Sequence, residues 1–199
     1  MAVPGPARSG PEGWRFDLAA GKEEILARRI GRNELGVIGI CRTYVRAQEI
    51  YASRPHDDRP ARLYAQRIVS RDGKHDGLYW DPASGERPSP LGDLAAQAAV
   101  EGYTSAEGEP RPFHGYYFGI LTAQGEAAPG GARNYIQNGD MVDGFALVAY
   151  PAEYGSSRIM TFVVNQDAIV YEKDLGERTE ELARAMTEYN PDTTWRRAE

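Results

Sequence analysis

Cysteine is almost absent from this chain: a single one, Cys41, occurs among 199 residues. An internal disulfide is therefore excluded. Cys41 lies in a helical pattern among the aliphatic residues Ile38, Ile40 and Val45. Cysteine in such surroundings behaves as a small hydrophobic residue. We therefore expect Cys41 to be buried rather than reactive.

Long apolar runs and an excess of positive charge are also missing. No stretch approaches the roughly 20 apolar residues that cross a bilayer, and the first residues lack the basic and then apolar pattern of an export signal. The chain carries 23 Lys and Arg against 29 Asp and Glu, a net charge of -6. A nucleic-acid surface needs a basic face. Residues 28–32 hold three arginines, but Glu24 and Glu34 flank them; this pattern favours a solvated helix face, and nucleic acid is not an expected partner.

The chain does contain a strand-rich stretch over residues 113–175. Four segments in it are rich in aromatic and β-branched residues, and clusters of Gly, Pro, Asn and Asp separate them. The segments are residues 115–123, 145–150, 159–164 and 168–173. Asn138-Gly139 is a two-residue turn signal just before a strand that enters at Met141. Residues 165–167 join the last two segments, so the pattern predicts antiparallel strands connected by hairpins.

A helical period precedes the strands and begins at Gly21. Apolar and aromatic residues recur at spacings of three, four and seven as far as Tyr51, which places them on one helix face. Gly31 and Asn33 interrupt the good helix formers, so we expect either one long bent helix or two abutting helices. Arg54-Pro55 ends the pattern, because the residue before proline disfavours helix.

Shorter helices are predicted at residues 61–68, 91–101 and 177–189. Residues 1–13 are mostly Pro, Gly and Ala with little to bury, so we expect a mobile tail. The remaining residues, 14–199, are expected to form a single domain, in which 14–17 is either an edge strand or the end of a longer unit. Helices followed by hairpin strands predict an α+β fold, with a long helix packed on an antiparallel sheet of about four strands.

A series of short motifs in order resembles one bacterial family. The motifs are GKEEIL (21–26), RIGRNE (29–34), YAQ (64–66), DGLYW (76–80), SPLG (89–92), HGYYF (114–118), ILTAQG (120–125), GFALVAYPAEYG (144–155), MTF (160–162), NQD (165–167) and KDLG (173–176). Over about residues 14–195 they resemble the uncharacterised domain-of-unknown-function family 2950. Members of that family look like exported proteins of unknown activity. The resemblance implies a periplasmic or extracellular location and carries over no catalytic residue.

The chain departs from that family in three places. Members typically carry a signal peptide and a further region before the equivalent of Trp14, and both are missing here, so the chain looks trimmed; whether that region completes a site stays open. The family pattern has glycine where this chain has Arg158 and Ala168. A hairpin bend that needs a positive φ would strain Ala168 by roughly 1 kcal/mol, so we expect the turn at Asp167 to be reshaped.

A second set of motifs resembles the head domain of bacterial type IV pilins and pseudopilins. The motifs are NE (33–34), Ile38, RT (42–43), AQ (47–48) and YA (51–52), followed by GYYF (115–118), GFA (144–146), AYP (149–151) and TFV (161–163). The resemblance implies a pilin-like core, in which a helix packs on an antiparallel sheet of three or four strands. The hydrophobic half-helix through which pilins polymerise is missing, so a pilus-building role is not implied.

Histidines are the first candidates for catalysis. The three histidines are His56, His75 and His114. His75 and Asp76 form a candidate acid/base pair, although adjacent residues on a turn usually point apart. His114 starts the first central strand and is a candidate pocket lining. A zinc site would need three or four close ligands, and no spacing in the chain provides them.

Aspartates at the hairpin ends are the candidates for metal binding. They are Asp140, Asp143 and Asp167. Their oxygens could hold Ca²⁺ if the hairpin ends converge. Turn chemistry also explains each of them, because Asp side chains bond their own backbone in turns.

Aromatic residues are the candidates for a binding surface. Tyrosine occurs 12 times. Several tyrosines and one tryptophan could form a surface for a peptide or glycan: Tyr79, Trp80, Tyr116, Tyr117, Tyr150 and Tyr154. Core packing is the alternative for all of them. Alternation along a strand places Tyr116 and Tyr117 on opposite faces, so at most one of the two lies in the core.

Together these patterns predict an exported protein of the cell envelope that is a structural or interaction module rather than an enzyme. Expected partners are another envelope protein, a peptide or a glycan. Neither a nucleotide loop nor another cofactor motif is present, so no cofactor is expected. The alternative is a hydrolase-type or metal-binding enzyme with a pocket around His75 and Asp76 or around His114. The specific ligand and the oligomeric state stay open.

Overall fold

A computed structural model describes residues 7–10, 13–82, 85–94, 112–156 and 158–199. Its main helices are α1 (Leu18–Ala52) and α2 (Thr179–Arg184), and a 3-10 turn, Gly176–Arg178, leads into α2. Its strands are, in chain order, β1 (Ala7–Gly10), β2 (Gly13–Phe16), β3 (Tyr116–Leu121), β4 (Ala123–Gln124), β5 (Arg133–Asn134), β6 (Ile136–Gln137), β7 (Asp140–Met141), β8 (Ala146–Pro151), β9 (Met160–Asn165), β10 (Tyr171–Asp174), β11 (Glu188–Tyr189) and β12 (Arg196–Arg197).

The helix α1 is the longest element. Asp17 caps its start, because the backbone N–H of Ala20 donates to Asp17 Oδ1 at 3.0 Å, the usual role of Asp at this position. The helix then runs for 35 residues without interruption, a length of about 52 Å at the standard rise. Of the two expected arrangements, the single helix is confirmed, since Gly31 and Asn33 both lie inside it. Its end at Ala52 agrees with the stop predicted at Arg54-Pro55.

One antiparallel sheet holds the long strands, in the order β12-β10-β9-β8-β3. Its four longest strands fall within or next to the four predicted segments, so the prediction of antiparallel hairpin strands is confirmed. β12 adds a fifth strand by pairing Arg197 with Tyr171. The sequence did not predict it, because two residues are too few for a period to be visible.

Both faces of the sheet are covered. α1 contacts β8 and β9, and α2 and β11 also contact β8. Every residue of β8 is buried, which requires cover on both faces because alternate strand residues point in opposite directions. The core includes Val37, Cys41, Tyr44, Leu147, Ala149, Phe162 and Val164. The fold is therefore α+β with a helix across an antiparallel sheet, as the sequence predicted.

Only the second half of α1 packs on this core. Residues 22–29 are all exposed, among them Ile25 at 59% and Leu26 at 40%. From Val37 onward buried residues recur on one face of the helix. Glu34 marks the boundary, where its Oε1 accepts a hydrogen bond from the backbone N–H of Met160 at 3.1 Å.

The predicted two-residue turn is confirmed. Gln137 pairs with Asp140, and the two residues between them, Asn138 and Gly139, have φ values of 52° and 85°. Positive φ at both central positions is typical of a type I′ hairpin, and Asn-Gly is its preferred sequence.

The turn at Asp167 is not reshaped, contrary to expectation. Ala168 has φ of 58°, the left-handed conformation that glycine adopts without strain. Two bonds hold the bend: the N–H of Ala168 donates to the carbonyl of Asn165 at 3.0 Å, and the N–H of Asp167 donates to Asn165 Oδ1 at 3.1 Å. The turn therefore tolerates an alanine in a glycine conformation.

The helix predicted over residues 61–68 is wrong. These residues run as turns and single bridges, because tertiary bonds take their backbone groups. The N–H of Tyr64 donates to the carbonyl of Met141 at 2.8 Å, and the side chain of Gln48 bonds both backbone groups of Ala65 at 2.8 Å each. Local helix propensity loses to these contacts.

The terminal helix predicted over residues 177–189 is too long. α2 ends at Arg184, and Glu188–Tyr189 instead forms β11, which pairs in parallel with β4. Tyr189 is 1% exposed. Because the strand buries this side chain, β11 forms where the helix was predicted to continue. Of the helix predicted over 91–101, residues 92–94 are helical, Leu91 is in a turn, and residues 95–101 lie outside the described residues.

The N-terminal segment was predicted from composition as a tail. In the structure Ala7–Gly10 and Gly13–Phe16 pair as a two-stranded antiparallel hairpin. The predicted strand at residues 14–17 thus has a local partner, which proline and glycine content did not reveal. The division of the chain into a tail and one domain stays a prediction.

Candidate functional site

Loops that follow α1 bring charged and aromatic side chains together. The first is a tight turn in which the backbone groups of His56 and Arg59 bond each other at 2.9 and 3.1 Å. Asp57 lies in this turn with φ of 48°, a conformation that Asp tolerates better than most residues. The second is the turn around His75, and the third is the segment that contains Glu86.

His75 lies between two carboxylates. Its Nδ1 is 2.8 Å from Asp57 Oδ1 and its Nε2 is 2.6 Å from Glu86 Oε1. The backbone N–H of His75 also donates to Asp57 Oδ2 at 2.9 Å. A carboxylate only accepts, so both contacts are hydrogen bonds when both ring nitrogens carry protons. The arrangement therefore favours the imidazolium.

The charge state of His75 follows from these neighbours. Burial opposes the charge, but hydrogen bonds to Asp57 and Glu86, together with their negative charges, outweigh it and raise the pKa of His75 above its usual value. The same contact lowers the pKa of Asp57, chiefly through the backbone N–H of His75. With both ring nitrogens engaged by carboxylates, His75 joins its own loop to the loops of Asp57 and Glu86.

Asp76 points away from His75. Its Oδ1 accepts from the backbone N–H of Arg71 at 2.9 Å and its Oδ2 from Arg71 Nε at 2.5 Å. Arg67 Nε lies 3.9 Å from the same Oδ2. The two residues of the candidate acid/base pair thus have separate partners, in agreement with the expectation for adjacent turn residues.

Aromatic rings pack against the His75 cluster. Trp80 meets the rings of His75 and His56 edge-on at 4.8 and 5.8 Å, and His56 stacks on Tyr51 at 4.0 Å. Tyr51 Oη donates to the carbonyl of His75 at 2.8 Å. His56 Nε2 lies 2.9 Å from the carbonyl of Tyr51 and is therefore its donor. Burial lowers the pKa of His56, so this ring loses its proton at a lower pH than His75, whose pKa is raised.

An open cleft lies beside the cluster. It has a volume of about 310 Å³ and is lined by Asp57, Asp58, Arg59, Gln66, Arg67, Arg71, Lys74 and Asp76. A smaller recess of about 30 Å³ adjoins it and shares Arg59, Gln66 and Asp76 with its lining. Tyr51, His56 and Tyr64 also line that recess. The recess has room for about one water molecule, whereas the cleft can admit a small ligand.

His114 lies far along the chain from this surface, in the turn before β3. It has φ of 47°, and its carbonyl accepts from Arg158 Nε at 2.7 Å. The Arg158 guanidinium lies over Gly115, where a Cβ would come within 1.7 Å of Arg158 Cζ. Arg158, which stands where the family pattern has glycine, thus covers the start of β3 with its side chain.

The candidate tyrosines separate into core and surface positions. Tyr116 is fully buried and packs on Phe162 at 5.9 Å, while Tyr117 is only partly buried. One member of the pair is thus in the core, as alternation predicted. Tyr117 packs against Tyr150 on the sheet face opposite Tyr116, with ring centroids 5.6 Å apart.

The remaining aromatic candidates have different surroundings. Tyr79 and Trp80 are partly buried, and Trp80 belongs to the His75 cluster. Tyr154 Oη donates to Asp174 Oδ1 at 2.9 Å. Of the aromatic residues predicted to form a binding surface, Trp80 therefore lies next to the charged loops.

The three hairpin aspartates have separate partners. Asp140 pairs with Arg59, Asp143 accepts from the amide of Gln137, and Asp167 accepts from Asn165 Nδ2 at 3.2 Å. In the part of the chain that the structure describes, no three His, Cys, Asp or Glu side chains are grouped to hold a metal ion. Cys41 is fully buried, as expected, and burial raises the pKa of its thiol to about 12.

Sequence reasoning missed most of the cluster. It nominated His75, but it gave no role to Asp57 or Glu86, which lie 18 and 11 positions away along the chain. Loop residues at such separations carry no period, so their meeting depends on the fold. The available signal was the acidic and aromatic content of residues 56–58 and 76–80.

The fold and this surface define the class of protein: an α+β domain in which a helix crosses an antiparallel sheet and ends beside charged, aromatic loops. The chain belongs to the family described as Protein of unknown function (DUF2950), whose model matches residues 1–198. The resemblance to that family is thereby confirmed. No curated protein and no solved structure matches the chain. Among the described residues, no helix is long and apolar enough to cross a membrane.

Proposed function

We propose that this protein is an exported interaction module of the bacterial cell envelope, built on a pilin-like core, that binds a glycan or peptide through the loops at the end of α1. The helix packed across an antiparallel sheet supports the pilin-like part of the proposal. The half of α1 that extends past the sheet supports it too. The order of the motifs along the chain is the third support.

The observation that carries the binding role is the surface beside His75. The ring of His56 packs on those of Tyr51 and Trp80, and Tyr51 and His56 line the recess that adjoins the open, charged cleft. Aromatic rings next to convergent polar groups are the usual composition of a small-ligand site. His75 fixes the loops in place through Asp57 and Glu86, so the surface is ordered before a ligand arrives.

A screen of the purified chain tests the binding role. Melting temperature is measured against envelope oligosaccharides, peptides and divalent metals, and each ligand is recovered and weighed by mass spectrometry. A saturable rise in melting temperature with an unchanged glycan or peptide is expected, because a ligand that binds the folded state stabilises it. Chemical conversion of the ligand, or a rise in melting temperature caused by metal alone, would contradict the binding module and favour the hydrolase-type or metal-binding enzyme.

Location is tested in the native bacterium. Antibodies against the chain should detect it in envelope or secreted fractions. Detection in the cytosolic fraction alone would refute the envelope assignment and leave the binding result unaffected.

A further inference from the structure

The cleft beside the His75 cluster has the size of a site for a small molecule. Its volume of about 310 Å³ lies at the lower end of the range for ligand sites, roughly 300–1,000 Å³. Its lining comes from residues 57–59 and from five positions between Gln66 and Asp76. The space suits one sugar ring or a small acid.

Two cationic side chains in the lining have unused hydrogen-bond donors. Arg67 is 54% exposed and lies 3.9 Å from Asp76, beyond hydrogen-bond distance. Lys74 Nζ has no hydrogen bond or ion pair within the described residues, and its side chain is exposed. Both belong to the same cleft, where their charges point to an anionic ligand.

The other charges of the cleft are largely compensated within the protein. Arg59 pairs with Asp140 and Arg71 with Asp76. Asp57 is bound by His75 through both carboxylate oxygens. Asp57 and Asp76 thus hydrogen-bond other groups, and Lys74 and Arg67 act on them only through their charge.

Asp58 is the exception among the acids of the lining. It makes no hydrogen bond or ion pair within the described ranges, and it is exposed. The lining as a whole carries four positive charges, on Arg59, Arg67, Arg71 and Lys74, against three aspartates, Asp57, Asp58 and Asp76, in a protein whose overall charge is -6. A local excess of positive charge on an acidic protein attracts anions to that place.

We propose that the cleft binds an oxyanion, either carboxylate or phosphate, carried on a small sugar-sized ligand, with Arg67 and Lys74 as its principal contacts. The planar guanidinium of Arg67 can take two oxygens of such a group at once, while Lys74 contributes a point charge. Asp58 opposes binding. This inference rests on the proposed binding function and deepens it by naming the chemistry of the ligand.

Titration calorimetry with three matched sugars tests the inference. Glucuronate carries a carboxylate and glucose 6-phosphate a phosphate at the same carbon, and glucose carries neither. At least one of the two anions is expected to bind with a dissociation constant on the order of 1 mM, and glucose is expected not to bind. Binding of glucuronate alone identifies a carboxylate ligand, and binding of the phosphate alone identifies a phosphate ligand. Absence of saturable binding by both anions overturns the proposal.

Variants assign the binding to the cleft. The double variant Arg67→Met with Lys74→Met is expected to bind the anion at least about tenfold more weakly. A charge-matched control, Arg46→Met with Lys22→Met, removes two exposed cations of α1 and is expected to bind like the native chain. Asp58→Asn is expected to strengthen binding a few-fold, and added salt to weaken it. Equal binding by the cleft variant and the control would overturn the assignment.

The two proposals fail in different ways. If an envelope glycan or peptide binds and the cleft variant binds it equally well, the module stands and the oxyanion cleft is wrong. If no glycan, peptide or oxyanion binds the native chain, both are wrong.

Discussion

Gln48 is the residue whose loss should show most clearly how α1 is joined to the loops. It is fully buried. Its Nε2 donates to the carbonyl of Ala65 at 2.8 Å and its Oε1 accepts from the N–H of Ala65 at 2.8 Å. The same Nε2 lies 3.0 Å from Tyr44 Oη, which donates in turn to the carbonyl of Ala146 at 3.1 Å. The side-chain amide thus satisfies both backbone groups of Ala65, as a neighbouring strand would.

The substitution Gln48→Met keeps the length of the side chain and removes its polar atoms. The N–H and carbonyl of Ala65 would then be buried without partners, and each such group costs about 1–3 kcal/mol. We therefore expect the free energy of unfolding to fall by about 2–5 kcal/mol. Tyr44 retains its bond to Ala146, so it adds little to the loss.

Urea denaturation followed by circular dichroism measures this loss. Gln66→Met is the matched control, because Gln66 Nε2 also donates to a distant backbone carbonyl, that of Gly139 at 2.8 Å, but is exposed to solvent. The control should change the free energy of unfolding by less than about 1 kcal/mol. Equal effects of the two variants, or a loss below about 1 kcal/mol for Gln48→Met, would show that burial does not decide the strength of this contact.

Two further predictions concern a turn and a titrating group. Ala168→Gly should raise the free energy of unfolding by about 1 kcal/mol, because glycine adopts a φ of 58° without strain. The control Ala132→Gly, at a position without positive φ, should not raise the free energy of unfolding. A loss of stability in Ala168→Gly would show that Ala168 is not strained. The pKa of His75 is raised on folding, so its stabilisation is fully present below its unfolded pKa of 6.5 and is lost as pH rises through the folded value. The difference in unfolding free energy between the native chain and His75→Gln should accordingly be larger at about pH 6 than at about pH 9, and a difference independent of pH would rule out the charged form.

The main elements of the fold were readable from local patterns. The strands β3, β8, β9 and β10 lie where aromatic and β-branched residues concentrate, and α1 follows a helical period that ends before Pro55. Helices were predicted wrongly where a short apolar run forms hydrogen bonds with residues distant in the sequence. Residues 61–68 have a helix-like composition, yet their backbone runs as turns and single bridges, in which Gln48 and Met141 bond Ala65 and Tyr64.

The candidate site was only partly readable. His75 was nominated because histidine is rare, and Trp80 because it is aromatic. Whether His75 pairs with Asp76 or with a distant residue depends on the direction of two side chains in a turn, which spacing does not encode. The structure directs His75 to Asp57 and Glu86 and directs Asp76 to Arg71.

The sequence by itself determined the period of α1, the hairpin strands and their Asn-Gly turn, because neighbours along the chain set these features through steric and hydrophobic patterns. Only the tertiary structure decided which loop residues meet. The Asp57, His75 and Glu86 cluster, the cleft around Arg67 and Lys74, and the clamp of Gln48 on Ala65 join positions with no periodic relation. Such contacts form because the packed helix and sheet bring the loops together, and the free energy for that comes from the whole core rather than from the loops themselves.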